Sequence, residues 1–193
     1  VKTFQLRAMM YEDVIEWIPF DRLSEIKKIG KGGFGSVYSA TWLDGIRKVE
    51  TIKDGDNDIY KRAREQSSTV ALKTLAASSM ENNNDYLKEF KSLMACKINS
   101  AKLAIYGITQ NTETKEYLMV FQYANDGSLY KYLRKNFCDL TWQAKLEILK
   151  NISEELYYIH ETAGYIHADF HSGNILQDQQ SYIADLGLSR KTD

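Results

Sequence analysis

The chain has 193 residues, 44% apolar and 26% charged, with a formal net charge of -1. This is the balance of a soluble globular protein of one domain, or one and a half small ones, with no basic excess for nucleic acid and no acidic tail. No apolar run approaches the length of a membrane span, and the start, Val1 to Tyr11, does not read as a signal peptide. The default location is therefore cytoplasmic or nuclear. Cys96 and Cys138 lack metal-ligand spacing and read as small core residues in a reducing compartment.

Residues 1–24 form a polar-aromatic lead-in with Trp17 and the only proline, Pro19. From Ile26 to Trp42 two apolar segments flank a glycine cluster, the pattern of a hairpin with a glycine-rich turn. Residues 45–68 are strongly hydrophilic and read as a long surface loop inserted between strands. Thr69 to Leu75 is β-branched and apolar and predicts a buried strand. Asp85 to Cys96 carries Leu87, Phe90, Leu93 and Met94 on a helical face. Leu103–Thr109 and Glu116–Tyr123 read as two strands joined by a polar turn. Asn125 to Ser128 breaks the pattern, and the rest up to Ala163 reads as helix. Its apolar stripe is Trp142, Leu146, Leu149, Leu156 and Ile159, and Gly164 is its C-terminal cap. The fold class is α+β in two lobes: a mostly antiparallel sheet with one helix, a hinge, then a helical part.

Three segments carry chemistry. Gly30, Gly32, Gly33 and Gly35, with Val37 after them, fit G-x-G-x-x-G-x-V. The same glycines mark dinucleotide folds, but those need a helix to start inside the motif, and the stretch from Ser36 to Trp42 is strand-like. Nor is it a Walker loop, because Lys31 is not followed by Ser or Thr. Glycines at a hairpin tip let backbone N–H groups approach phosphate oxygens. Lys73 lies on the buried strand. A strand lysine usually faces solvent, but Glu89 on the next helix can pair with it and hold its ammonium toward a phosphate, with Asp85 the competing acid. Asp169 and Asn174 sit five apart in a polar loop, and Asp185 follows in a turn. A carboxylate there can accept a hydroxyl proton, and an amide oxygen and a second carboxylate suit Mg²⁺. Each acid alone reads as a loop aspartate bonded to its own turn. The combination, in this order and these elements, does not.

The chain from about Leu23 onward thus resembles the eukaryotic protein kinase family, with the look of its tyrosine-kinase-like branch. The resemblance implies a bilobal fold with an N-terminal extension 1–24, an N-lobe and hinge over 25–124 and a partial C-lobe over 125–193. It implies ATP and Mg²⁺ as cofactors and a protein hydroxyl as acceptor. Gly30, Gly32, Gly33 and Gly35 would cover the phosphates. Val37, Ala71 and Leu176 would sandwich the adenine, beside Gln122 and Ala124 of the hinge and under Phe121 at its back. Lys73, held by Glu89, would bind the α- and β-phosphates. Asn174 and Asp185 would hold the metal, and Asp169 would take the proton. Leu93, Ile105, His167 and Leu186 fall where the family stacks an apolar column. Ala168 and His171 depart from the family's Arg and Lys, and Leu186 from its Phe. The sequence lacks the family's segments after the metal turn, so these 193 residues alone are expected to be a poor catalyst. The rival reading is a non-catalytic ATP-binding fragment or pseudokinase-like interaction module.

Overall fold

Alternating burial builds the first half of the molecule. The structure, a computed structural model, describes residues 10–32, 35–54, 57–75, 94 and 102–192. Contacts divide the chain into two compact units, residues 1–76 with 105–123, and 77–104 with 124–193. The helix predicted over Asp85–Cys96, with Glu89, Asp85 and Leu93, lies outside the described residues, as do Gly33, Phe34 and Cys96. Met94 of that segment is helical and buried.

The first unit is a six-stranded sheet in the order β1-β7-β8-β6-β3-β2. Its strands are β1 Glu16–Trp17, β2 Leu23–Gly32, β3 Gly35–Trp42, β6 Ser68–Thr74, β7 Ile105–Gln110 and β8 Tyr117–Gln122. All neighbours run antiparallel except β1 and β7, which are parallel. Side chains alternate across a strand, so β6 sends Val70 and Leu72 to one face and Ala71 and Lys73 to the other. Val70 and Leu72 pack with Ile18, Leu23, Ala40, Trp42, Leu118 and Val120 in one cluster. The lead-in is thus partly structural: Ile15 and Ile18 are buried and β1 adds an edge strand.

The segment expected as a surface loop over 45–68 is instead ordered as a two-stranded ribbon. Its strands, β4 Arg47–Asp54 and β5 Asn57–Arg64, pair from Arg47↔Arg64 to Asp54↔Asn57. Hydrophilicity alone hid it, because both faces of the ribbon meet solvent and no burial alternation marks it. Two strands by themselves are marginal in water. The base is held by Glu16, which accepts from Arg47 at 2.6 Å and from Arg64 at 2.6 Å, and by Tyr11, stacked under Arg47 and Arg62.

The longer segment of the second unit starts at Ala124, and Gly127, with a φ of +70°, turns the chain into Ser128. The Ser128 hydroxyl caps α1 (Leu129–Asn136) by accepting from Lys131 N. The predicted single helix is interrupted at 137–141, because Thr141 caps a second start and accepts from Ala144 N at 3.1 Å. α2 then runs over Trp142–Tyr157 and ends in a π turn, Tyr158–Thr162. Gly164, at φ +69°, closes it as expected. The buried face of α2 is Ile152, Glu155 and, one turn on, Ile159. The predicted stripe is therefore corrected: Trp142, Leu146 and Leu149 are exposed, the first at 79%. The helix carries two apolar faces, and the β-branched one packs with Leu129 and Ile175. Short strands complete the unit: β9 Gly127–Ser128, β11 Ile175–Gln177 and β12 Ser181–Ile183 in the order β12-β11-β9, with β10 Tyr165–Ile166 paired to β13 Arg190–Lys191. No helix among the described residues is long and apolar enough to cross a membrane.

Candidate active site

In the first unit, the glycine hairpin is made by β2 and β3, with Gly30 opposite Val37 and Gly32 opposite Gly35. Val37 pairs with Lys73, and Ala71 and Lys73 pair with Phe121 and Met119. By strand alternation Val37, Ala71, Lys73, Met119 and Phe121 share the sheet face opposite the Trp42 cluster. Lys73 is half-buried there.

Thr74, which sequence reasoning missed, anchors the hairpin base. Its hydroxyl accepts from Ser36 N at 2.8 Å and lies 3.3 Å from Ser36 O. Gly35 beside it has φ +133°, and a Cβ there would meet the Thr74 hydroxyl and come within 2.9 Å of the Thr74 carbonyl. At Gly30 the nearest atom to a Cβ is Val37 Cβ at 4.0 Å. Gly35→Ala should therefore cost about 1–3 kcal/mol through strain, with Gly30→Ala well below it. Thermal denaturation of the two variants checks this, and equal losses would contradict it.

In the second unit the loop after β10 carries His167, Asp169, His171 and Asn174. His167 is 1% exposed, and its Nε2 lies 2.9 Å from Ala184 O. Its Nδ1 accepts from Asp169 N at 3.3 Å. Asn174 Nδ2 donates to Asp169 O and Asp169 Oδ2, both at 3.0 Å, and Ala184 N donates to Asn174 O at 2.8 Å. The loop and the end of β12 are thus tied together on both sides of Ala184. The backbone is forced at two points: Ala168 has φ 62° and Asp185 has φ 63°, both left-handed. Asp185 Oδ1 accepts from Gly187 N, and Leu186 after it is buried. His171 Nδ1 accepts from Gly173 N at 3.0 Å, which turns Nε2 toward Asp169 Oδ1 at 3.7 Å. Leu176, on β11, is half-buried opposite Ser128.

These residues fit Mg²⁺. Both Asn174 bonds to Asp169 use its nitrogen, so the atom it has left to offer a cation is an oxygen. Asp185 adds a carboxylate. Among the described residues no group of three or more His, Cys, Asp or Glu side chains forms an all-protein cage. One carboxylate with an amide oxygen, completed by phosphates and water, is the way Mg²⁺ is usually held.

Of the residues singled out from sequence, the structure brings Asp169, Asn174 and Asp185 together in one unit, and Val37, Ala71 and Lys73 onto one face of the other. Glu89 and Gly33 lie outside the described residues. Gln122 ends β8, and Ala124 is buried at the start of the second unit's longer segment, 124–193.

Residues 23–193 match the model of the family described as protein tyrosine and serine/threonine kinase. The chain is 33% identical over 169 residues to the leaf rust 10 disease-resistance locus receptor-like protein kinase-like 1.3 of Arabidopsis thaliana, covering 85% of this chain and 21% of that protein. It is 29% identical over 200 residues to a probable serine/threonine-protein kinase of Dictyostelium discoideum, covering 100% of this chain and 19% of that protein. A third similar protein, the Arabidopsis probable serine/threonine-protein kinase PBL20, is 31% identical over 168 residues, 85% of this chain and 39% of its own length. The chain thus spans about a fifth of the first two.

Proposed function

The chain belongs to the protein tyrosine and serine/threonine kinase family, and we propose that it transfers the γ-phosphoryl group of ATP to a protein hydroxyl. The relatives' names favour serine and threonine as acceptors. The observation that carries the reading is the bonded loop of Asp169 and Asn174 joined through Ala184 to the strand that ends at Asp185. Phosphoryl transfer asks a protein for positioning and charge neutralisation rather than covalent work, and this loop supplies a fixed acid at a fixed place.

In this reading the backbone of the glycine hairpin covers the phosphates, and Lys73, with Glu89, binds the α- and β-phosphates. Val37, Ala71 and Leu176 hold the adenine, beside Gln122 and Ala124. Asn174 and Asp185 hold Mg²⁺, which when bound neutralises charge on the phosphate oxygens. Asp169 orients the acceptor hydroxyl and takes its proton. Asn174, by donating to Asp169 Oδ2, fixes that carboxylate's rotation. His171, where related kinases carry Lys, turns Nε2 toward the same carboxylate at 3.7 Å.

The test is transfer of labelled γ-phosphate to a generic protein substrate. Asp169→Asn should lower the rate by about 10²-fold or more, as expected for loss of a general base. A rate unchanged by that substitution would refute the assignment. Mg²⁺-dependent ATP binding without any transfer would leave a nucleotide-binding module.

A further inference from the structure

Glu155 is a charged residue on α2 with 0% exposure. Buried Ile152 and Ile159 flank it on the same face. Its two oxygens accept from two separate segments: Oε1 from Lys102 N at 3.1 Å, and Oε2 from Ile183 N at 2.8 Å. Lys102 leads into buried Leu103 ahead of β7. Ile183 is the last residue of β12, two before Asp185.

The second bond has a topological reason. Among the described residues β12 is the edge strand of its sheet, paired to β11. Ala184 N donates toward Asn174 on the β11 side, so Ile183 N–H points off the free edge. A buried edge amide needs an acceptor, and the Glu155 carboxylate provides it. The end of β12 is then fixed from three directions: by Glu155 through Ile183 N, by Asn174 through Ala184 N, and by His167 at Ala184 O.

We propose that Glu155 is a positioning residue for the metal-binding turn, clamping the free edge of β12 to the Lys102 segment and so fixing where Asp185 is presented. This rests on the reading of Asp185 as a Mg²⁺ ligand. An apolar side chain at 155 would fill the space but take the acceptor from the buried Ile183 amide and the part-buried Lys102 amide.

The clamp is pH-sensitive. Burial pushes the Glu155 carboxyl up to about 7, against the pull of its bonds from Ile183 N and Lys102 N and of the Lys102 charge. Lys102 Nζ itself lies 3.3 Å from Glu154 Oε2 on the outer side of α2. On the strand side stand Tyr182 and His167, the latter turned to Ala184 O. The π turn adds His160 and Glu161. The folded-state value lies above the ordinary 4.5. The stability held at this site is therefore complete below about 4.5 and is lost as pH rises from there through about 7, where the buried carboxyl ionises.

Amide hydrogen exchange at Lys102 and Ile183, measured on the whole chain without nucleotide and corrected for intrinsic rates, tests the clamp. Between about pH 5 and 8.5 both amides should lose about tenfold protection or more in one step that runs up to about pH 7 and is finished above it. Glu155→Gln cannot ionise and has one acceptor oxygen, so one amide should lose protection and the step should vanish. The Mg²⁺-dependent part of the Tm rise given by ATP should fall by about half in that variant, with the rise from ATP alone unchanged. Exchange of the Lys102 and Ile183 amides at unprotected rates in the native chain even at about pH 5.5 would overturn the clamp, and that measurement needs no variant to fold. A variant that loses amide protection but keeps the full Mg²⁺-dependent rise would overturn the positioning role. A native chain that shows the step but ignores Mg²⁺ would instead remove the metal reading, reducing Glu155 to a structural tie.

Discussion

Lys73→Met and Asp185→Asn should each remove most of the rise in melting temperature that ATP with Mg²⁺ gives the native chain. A ligand that binds only the folded state stabilises it by about 2.7 kcal/mol at a hundred times its Kd. If either substitution weakens binding a hundredfold, the same ligand concentration contributes only about 0.4 kcal/mol. Both changes are chosen to spare the fold. Methionine keeps the length of Lys73 on β6 and removes only the charge. Asparagine tolerates the left-handed backbone of Asp185 at φ 63° and keeps an oxygen for Gly187 N. The loss is therefore read as a smaller ligand-induced shift, each variant measured against its own melting temperature without ligand. Differential scanning calorimetry with and without millimolar MgATP measures both. A native-sized shift in both variants would mean that neither residue touches the nucleotide or its metal.

Ile18→Ala should destabilise the protein by about 2–4 kcal/mol, a large share of a typical margin of about 5–15 kcal/mol. Ile18 precedes the residues that match the kinase family, yet it is 1% exposed and packs against Leu23, Trp42, Leu72 and Val120. Removing it opens a cavity in the sheet core. In a chain of this size that should lower the melting temperature by roughly 5–15 °C. Trp17→Ala is the control. Trp17 is 53% exposed and meets Tyr117 only edge-on, so its loss should cost about 1 kcal/mol or less. Equal effects from the two substitutions would show that the lead-in merely lies against the sheet.

The sheet strands were legible, and the candidate site residues could be singled out, because both depend on short, local patterns. β6 reads from Val70, Leu72 and Lys73, and the left-handed turn at Gly164 from a glycine after a helical run. Asp169, Asn174 and Asp185 declare themselves by spacing. What stayed hidden depends on partners far along the chain. The ribbon of β4 and β5 buries neither face, so its strands carry no alternation. The packed face of α2 was only partly read: Ile159 belongs to the expected stripe and is buried, but Trp142, Leu146 and Leu149 look more like a core than Ile152 does. Thr74 gave no signal, since its role rests on Ser36. Glu155 left a faint one: an acid with isoleucines three before and four after it sits on a buried stripe, and that alone marks it as a bonded acid rather than a solvated one.

The parallel pairing of Glu16 with Gly107 and Trp17 with Ile108 has a consequence for synthesis. β1 leaves the ribosome before β7, and this partner emerges only after the hairpins between them have been made. At about 5–20 residues per second the delay is on the order of ten seconds. Throughout it Ile15 and Ile18 have no β7 to lie beside, and the edge of β7, once formed, is open to any strand that arrives first. The hairpins of β2 with β3 and β4 with β5 can close locally as they emerge. Completion of the sheet instead waits on its most distant pair, which makes that interval the natural window for a chaperone to hold the N-terminal segment.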